Sequence, residues 1–222
     1  MKKFELTNEF ITNMFGTKLF RIRALVEFGD VEAGELGGYV EKESNLGHDD
    51  NAWVYDNAWV YGDAQVSGDA LVYDNARVYG DAQVSGDARV YDNAWVYGDA
   101  QVSGDALVYD NAWVYGDAQV SGDARVCGNA RVYGDARVCG NGDYAYAHGF
   151  GSVNRTTTFF RLKDGGVGVR CGCFYGTLAQ FRDKIRETHG ESAIAEEYLD
   201  LAALMEKRFR RTGNEQKTEE ES

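Results

Sequence analysis

The chain of 222 residues carries a formal net charge of −13, with four Cys, three His and no Pro. Residues 51–143 hold fourteen Asp against five Arg, with neither Lys nor Glu, whereas residues 144–222 balance at twelve acidic and twelve basic side chains. The acidic middle excludes direct binding to a nucleic-acid backbone, no apolar run is long enough to span a membrane, and Cys127, Cys139, Cys171 and Cys173 make no secreted disulfide framework.

The opening "MKKFELTNEF" lacks the apolar core of a signal peptide, so the chain is expected in the cytoplasm. The stretch "KKFELT…GTKLFRIRALVEF" alternates apolar and polar residues around Gly16, which predicts a hairpin and an N-terminal β cap over residues 1–45. Val40 and Leu46 already keep the phase of the repeat that follows, so an irregular coil is expected ahead of the regular ones. His48 falls at a Val-equivalent position of that coil and reads as a capping residue rather than a base.

From Ala52 to Ala136 every sixth residue is Ala, and from Val54 to Val138 every sixth is Val. Ala and Val flank one variable residue, so these two point inward and the third outward, the alternation of a short strand. Gly, Asp or Asn fill the remaining positions and tolerate the left-handed and turn conformations of a corner. Three kinds of hexad cycle in fixed order, as in "NAWVYGDAQVSGDALVYD" from Asn93. Three hexads make one coil of a triangular solenoid, whose equivalent residues stack in columns about 4.8 Å apart. The fold is therefore expected to be mainly β, with a β-helix over residues 46–141. The lack of Pro suits a backbone whose donors are nearly all needed in ladders.

The hexad V-Y-G-D-A-x resembles the hexapeptide-repeat superfamily. The resemblance implies a left-handed parallel β-helix solenoid of eighteen residues per coil, often assembled as a homotrimer. More narrowly, "GELGGYVEKESNL", the "YGDA" coils and "CGCFYGT" are similar to uncharacterised proteins common in bacteriophages and prophages. Acyltransferases of the superfamily place a catalytic His beside the coils. Here His48, His148 and His189 all lie outside the regular array, and no insertion interrupts the hexads. The three-His metal site of carbonic anhydrases on this fold has no counterpart either. A protein without catalytic residues, metal or cofactor is expected.

The outward columns distinguish three faces. Face one carries Trp53, Leu71, Arg89, Leu107 and Arg125. Face two carries Trp59, Arg77, Trp95, Trp113 and Arg131 beside Tyr61, Tyr79, Tyr97, Tyr115 and Tyr133. Face three carries Gln65, Gln83, Gln101 and Gln119 beside a column of Ser. The ladders stabilise the coil by pairing across strands. A contiguous aromatic strip also reads as a subunit interface, formed by Trp59, Arg77, Trp95, Trp113, Tyr61, Tyr79, Tyr97 and Tyr115. Asp63, Asp81, Asp99 and Asp117 form a solvated acidic edge whose side chains reach local backbone donors.

After Asn141 the repeat stops, and residues 142–211 read as a ββαα module. "TTTFFRLK" and "VGVRCGCF" are its strands, joined at "DGG". "LAQFRDKIRETH" is a helix capped by Thr177 and stopped by Gly190, with Leu178, Phe181 and Ile185 inward. A second helix carries Ile194, Tyr198, Leu201, Met205 and Phe209 on its inner stripe, and residues 212–222 read as a disordered tail. Arg161, Arg170 and Arg182 surround the turn that feeds the first helix, so an anion site is expected there, with Phe174, Tyr175, Gly176 and Thr177. Cys171 and Cys173 read as thiols rather than metal ligands.

Together these features predict a non-catalytic, oligomeric binding protein, and the resemblance to phage proteins implies that it counteracts or modulates a host system. It would sequester a small anionic metabolite or nucleotide signal, or instead capture a host protein on its acidic coils as a scaffold or DNA mimic. Acyl transfer lacks a His in the coils.

Overall fold

The computed structural model describes residues 2–220, with the side chains of 213–220 excepted. Strands β1 (Phe4–Thr12), β2 (Lys18–Ala24) and β3 (Leu36–Val40) precede fifteen short strands, β4 to β18, that run from Trp53–Val54 to Arg137–Val138. Each short strand is one hexad. The fifteen Ala side chains between 52 and 136 are wholly buried, and so are the Val side chains to within 1%. Residue i pairs with residue i+18 in parallel register, for example Trp95 with Trp113 and Gln101 with Gln119. The ladder bonds are regular: the Trp59 N–H donates to Ala76 O at 2.9 Å and the Tyr61 N–H to Val78 O at 3.0 Å. The protein is thus a β-solenoid of about six turns with an eighteen-residue period, and the ladder leaves few backbone donors unsatisfied. Each buried Val contributes roughly 1.5–3 kcal/mol against the entropy of ordering the chain.

Two chemistries turn the corners. Gly68, Gly86, Gly104 and Gly122 have φ between 59° and 68° and stack so closely that a Cβ on Gly86 would lie 2.9 Å from the Gly104 nitrogen. At another corner Asp56, Asp74, Asp92 and Asp110 hold φ between 51° and 59°. Their carboxylates accept from the next coil, ending with the Gly128 N–H on Asp110 at 3.0 Å. The backbone bonding expected of corner carboxylates therefore occurs in this column. The Asp63 column stays exposed.

The N-terminal cap is built into one wall of the solenoid. The face-two sheet runs β1-β2-β3 and then continues through five coil strands, with β3 parallel to the first of them. Leu46 bridges to Val66, which completes the irregular coil. Trp53 departs from the outward column in which its phase places it. It is fully buried against Phe4, Phe28 and Tyr55 because the cap folds over the open end of the first coil. The Lys3 ammonium closes the same end, donating to Ala52 O at 2.9 Å, and burial holds its pKa below the usual lysine value. His48 serves the cap: it stacks on Phe4 at 4.6 Å and its Nδ1 accepts from the Lys3 N–H.

Beyond the coils, β19 (Tyr144–Phe150), β20 (Arg155–Arg161), β21 (Val167–Cys171) and β22 (Phe174–Thr177) form an antiparallel meander followed by α1 (Leu178–His189) and α2 (Ala193–Glu220). Four strands stand where the sequence predicts two. β19 is rich in Ala and Gly with a register shift after Ala147, and β22 is four residues that run straight into a helix, so neither carries a long strand signal. The sheet is a middle layer. Phe160 and Tyr144 join the solenoid core, while Phe159, Val169 and Cys171 join a second core with the helices. This explains why Thr157, Thr158, Phe159 and Phe160 are all buried rather than alternating. On α2 Ile194 is exposed and Ala195 takes the inner place, three rather than four residues before Tyr198. Helix α2 continues past Thr212 to Glu220, through residues expected as a disordered tail; Glu221 and Ser222 lie outside the described residues. No helix among the described residues is long and apolar enough to cross a membrane.

Candidate anion site

The module is docked by its sheet. Strand β17 (Arg131–Tyr133) ends the face-two wall, and its Arg131 N–H donates to Thr158 Oγ1 at 2.9 Å. Tyr175 packs edge-on to Tyr133 at 4.8 Å, and the Tyr144 hydroxyl donates to Arg125 O. Beside this seam lies a cleft of about 250 Å³ lined by Asn129, Arg131, His148, Arg155, Thr156, Arg170 and Gly172.

Three chain segments deliver the three guanidinium groups. Arg131 comes from the last coil and stacks over Trp113 at 4.5 Å. Arg170 comes from β21 and lies over Tyr133 at 5.6 Å, donating through Nη1 to Cys173 O and Phe174 O. Its Nε is buried and has no hydrogen-bond partner. Arg155 opens β20 and lies across Gly172, which at φ 58° leaves it room: a Cβ there would fall 1.9 Å from Arg155 Nη1. His148 Nδ1 sits 2.9 Å from Thr156 Oγ1. Among the described residues none of Arg131, Arg155 and Arg170 forms an ion pair, whereas Arg161, Arg182, Arg186 and Arg210 of the module do. At Tyr97 burial is the largest effect and pushes the hydroxyl up to about 12, against the field of Arg131 and Arg170, which acts to lower it. Unpaired guanidinium groups in one cleft favour a bidentate oxyanion such as a phosphate or carboxylate.

The geometry distributes the expected site residues differently from the sequence reading. Arg161 pairs with Asp143 at 3.6 Å and donates to Phe209 O at 2.9 Å, so it ties α2 to the sheet. Arg182 pairs with Glu206 at 2.7 Å and joins the two helices, holding the Glu206 carboxyl below its ordinary pKa. Thr177 caps α1 reciprocally with Gln180, so the chain's own side chains take two backbone donors at that helix end, the N–H groups of Thr177 and Gln180. Tyr175, Gly176 and Thr177 line a different, larger cleft of about 630 Å³ that also contains Asp135 and Asp164. Phe174 faces a third, of about 270 Å³. Of the seven, only Arg170 reaches the cationic cleft.

Arg155 was missed although the β20–β21 hairpin was predicted, because the predicted strand begins at Thr156 and the contact of Arg155 with Gly172 depends on tertiary packing. Arg131 had a signal. In the last coil the outward residue on every face is Arg, at 125, 131 and 137, where earlier coils carry Trp, Leu or Gln on most of them.

Face two leads to the same cleft. Tyr61, Tyr79, Tyr97 and Tyr115 stack at 4.8 to 4.9 Å, and Trp95 on Trp113 at 5.1 Å. Arg77 lies between Trp59 at 4.2 Å and Trp95 at 5.1 Å. All eight are half-buried, much of their surface being covered by their own ladder. Among the described residues no group of three His, Cys, Asp or Glu is arranged to hold a metal ion.

The coils match the YdcK beta solenoid repeat at residues 64–80, 82–98, 100–116, 118–130 and 124–140. No curated protein matches the chain.

Proposed function

We propose that this β-solenoid is a non-catalytic binding protein whose C-terminal module takes up a small oxyanion between Arg131, Arg155 and Arg170. The observation that supports this is the presence in one cleft of three guanidinium groups without ion-pair partners among the described residues, in a chain whose net charge is −13. With so many carboxylates available, leaving these three unpaired holds a cationic site open. The similarity to phage and prophage proteins favours a host metabolite or signal, withheld in the cytoplasm by sequestration. The hexapeptide-repeat resemblance adds a homotrimer, with the half-exposed aromatic strip of face two as its contact. Sedimentation as a 24.6 kDa species at micromolar concentration would remove the trimer from the proposal.

Calorimetric titration with inorganic pyrophosphate tests the site. One saturable event per chain is expected, weakened about tenfold or more by Arg131→Ala or Arg155→Ala, each of which removes a charge-assisted bond. No saturable heat, or binding unchanged in both folded variants, overturns the proposal.

A further inference from the structure

The cationic cleft has an aromatic neighbour. The cleft of about 270 Å³ has an aromatic wall formed by Phe174, Phe181 and Tyr198, with Lys184 and His189 also lining it and no carboxylate in its lining. Phe174 and Phe181 are 5.4 Å apart, Phe181 and Tyr198 5.9 Å, and the His189 ring stacks on Tyr198 at 5.9 Å. Burial pushes the Tyr198 hydroxyl up to about 12.

Arg155 lines both clefts. The β21–β22 turn, Gly172 and Cys173, stands between them: Gly172 lines the cationic cleft and Cys173 the aromatic one. Because Gly172 has no side chain, the Arg155 guanidinium lies across the turn and belongs to both sides. One cation thus joins an oxyanion site to a slot for a flat ring.

We infer that the ligand is a phosphorylated compound with a planar heterocycle, of mononucleotide class, which straddles this turn. Its phosphate meets Arg131, Arg155 and Arg170, and its ring lies against Phe174. The inference rests on the oxyanion reading of the cationic cleft and extends it. Ring stacking against an aromatic side chain is sequence-tolerant, so purine and pyrimidine rings both fit this chemistry.

The test compares AMP and UMP with ribose 5-phosphate and inorganic phosphate, titrated calorimetrically into the full chain. At least one nucleotide is expected to bind about tenfold more tightly than ribose 5-phosphate. Phe174→Ala should bring the nucleotide down to the level of ribose 5-phosphate and leave phosphate binding unchanged, while Arg131→Ala weakens every probe. Phe174 is only partly buried, and Phe174→Leu, which keeps the packing but not the flat face, guards against a folding artefact. Equal affinity for nucleotides and ribose 5-phosphate overturns this inference but leaves the oxyanion site standing. Failure of every probe overturns both.

Discussion

The coils and the C-terminal module use the same amino acids to opposite ends. In the coils each position lies beside its equivalent eighteen residues away, so Tyr stacks on Tyr and Asp follows Asp, while the outward position of each hexad varies. Such a lattice makes ladders. At the junction with the module, residues remote in the sequence converge from separate strands, as Arg131 of the last coil and Arg155, Arg170 and His148 of the module do around one cleft. A strictly repeating surface cannot gather a mixed set of groups at one point, and a binding site arises where the repeat breaks. The last coil is that break, with Arg on all three faces.

If the two regions are distinct in this way, their failures should differ. The largest effect is expected from Arg161→Ala, which removes both the ion pair to the buried Asp143 carboxylate and the bond to Phe209 O, at a cost of about 3 kcal/mol. Helix α2 and its sheet should become sensitive to protease while the coils keep their β signal in circular dichroism; simultaneous loss of both would mean that the regions are one cooperative unit.

A smaller cost of roughly 2 kcal/mol is expected from Gly86→Val or Gly104→Val, because both positions require left-handed backbone and both press on the coil that follows. Thermal melts should show equal losses for these two equivalent corners. Unequal losses would show that position along the rod matters more than the repeat.

The smallest effect is alkaline. Burial in the ladder pushes the Tyr97 hydroxyl from its ordinary value of 10 up to about 12. Between those values the unfolded chain has lost a proton that the folded chain keeps, so stability falls as pH rises through this window and is complete below it. Tyrosinate absorbance should lag behind that of free tyrosine until the rod unfolds. Titration of every Tyr near pH 10 in the intact rod would contradict the ladder.

Legibility in the sequence follows the same division. The run of Ala and Val from 52 to 138 declares coil, period and core, because each inward position repeats its environment fifteen times. Trp53 obeys that period yet is buried, since the cap over it comes from residues far back in the chain. Thr177, Leu178, Phe181 and Ile185 were readable because a helix start and its inner face are local. The role of Arg161 was not, since its partners Asp143 and Phe209 lie on β19's approach and on α2. Arg155 illustrates the limit most plainly: the β20–β21 hairpin was legible, but its first strand reads from Thr156, and the packing that lays Arg155 across Gly172 beside Arg170 is not local.

The central claim is that the unpaired guanidinium groups at the end of the rod form the binding site. A crystal structure of the protein grown with saturating pyrophosphate tests it most directly. The account predicts density for the anion contacting Arg131, Arg155 and Arg170. Density against Tyr175 to Thr177 instead, or an open cationic cleft with no anion in it, would contradict the account.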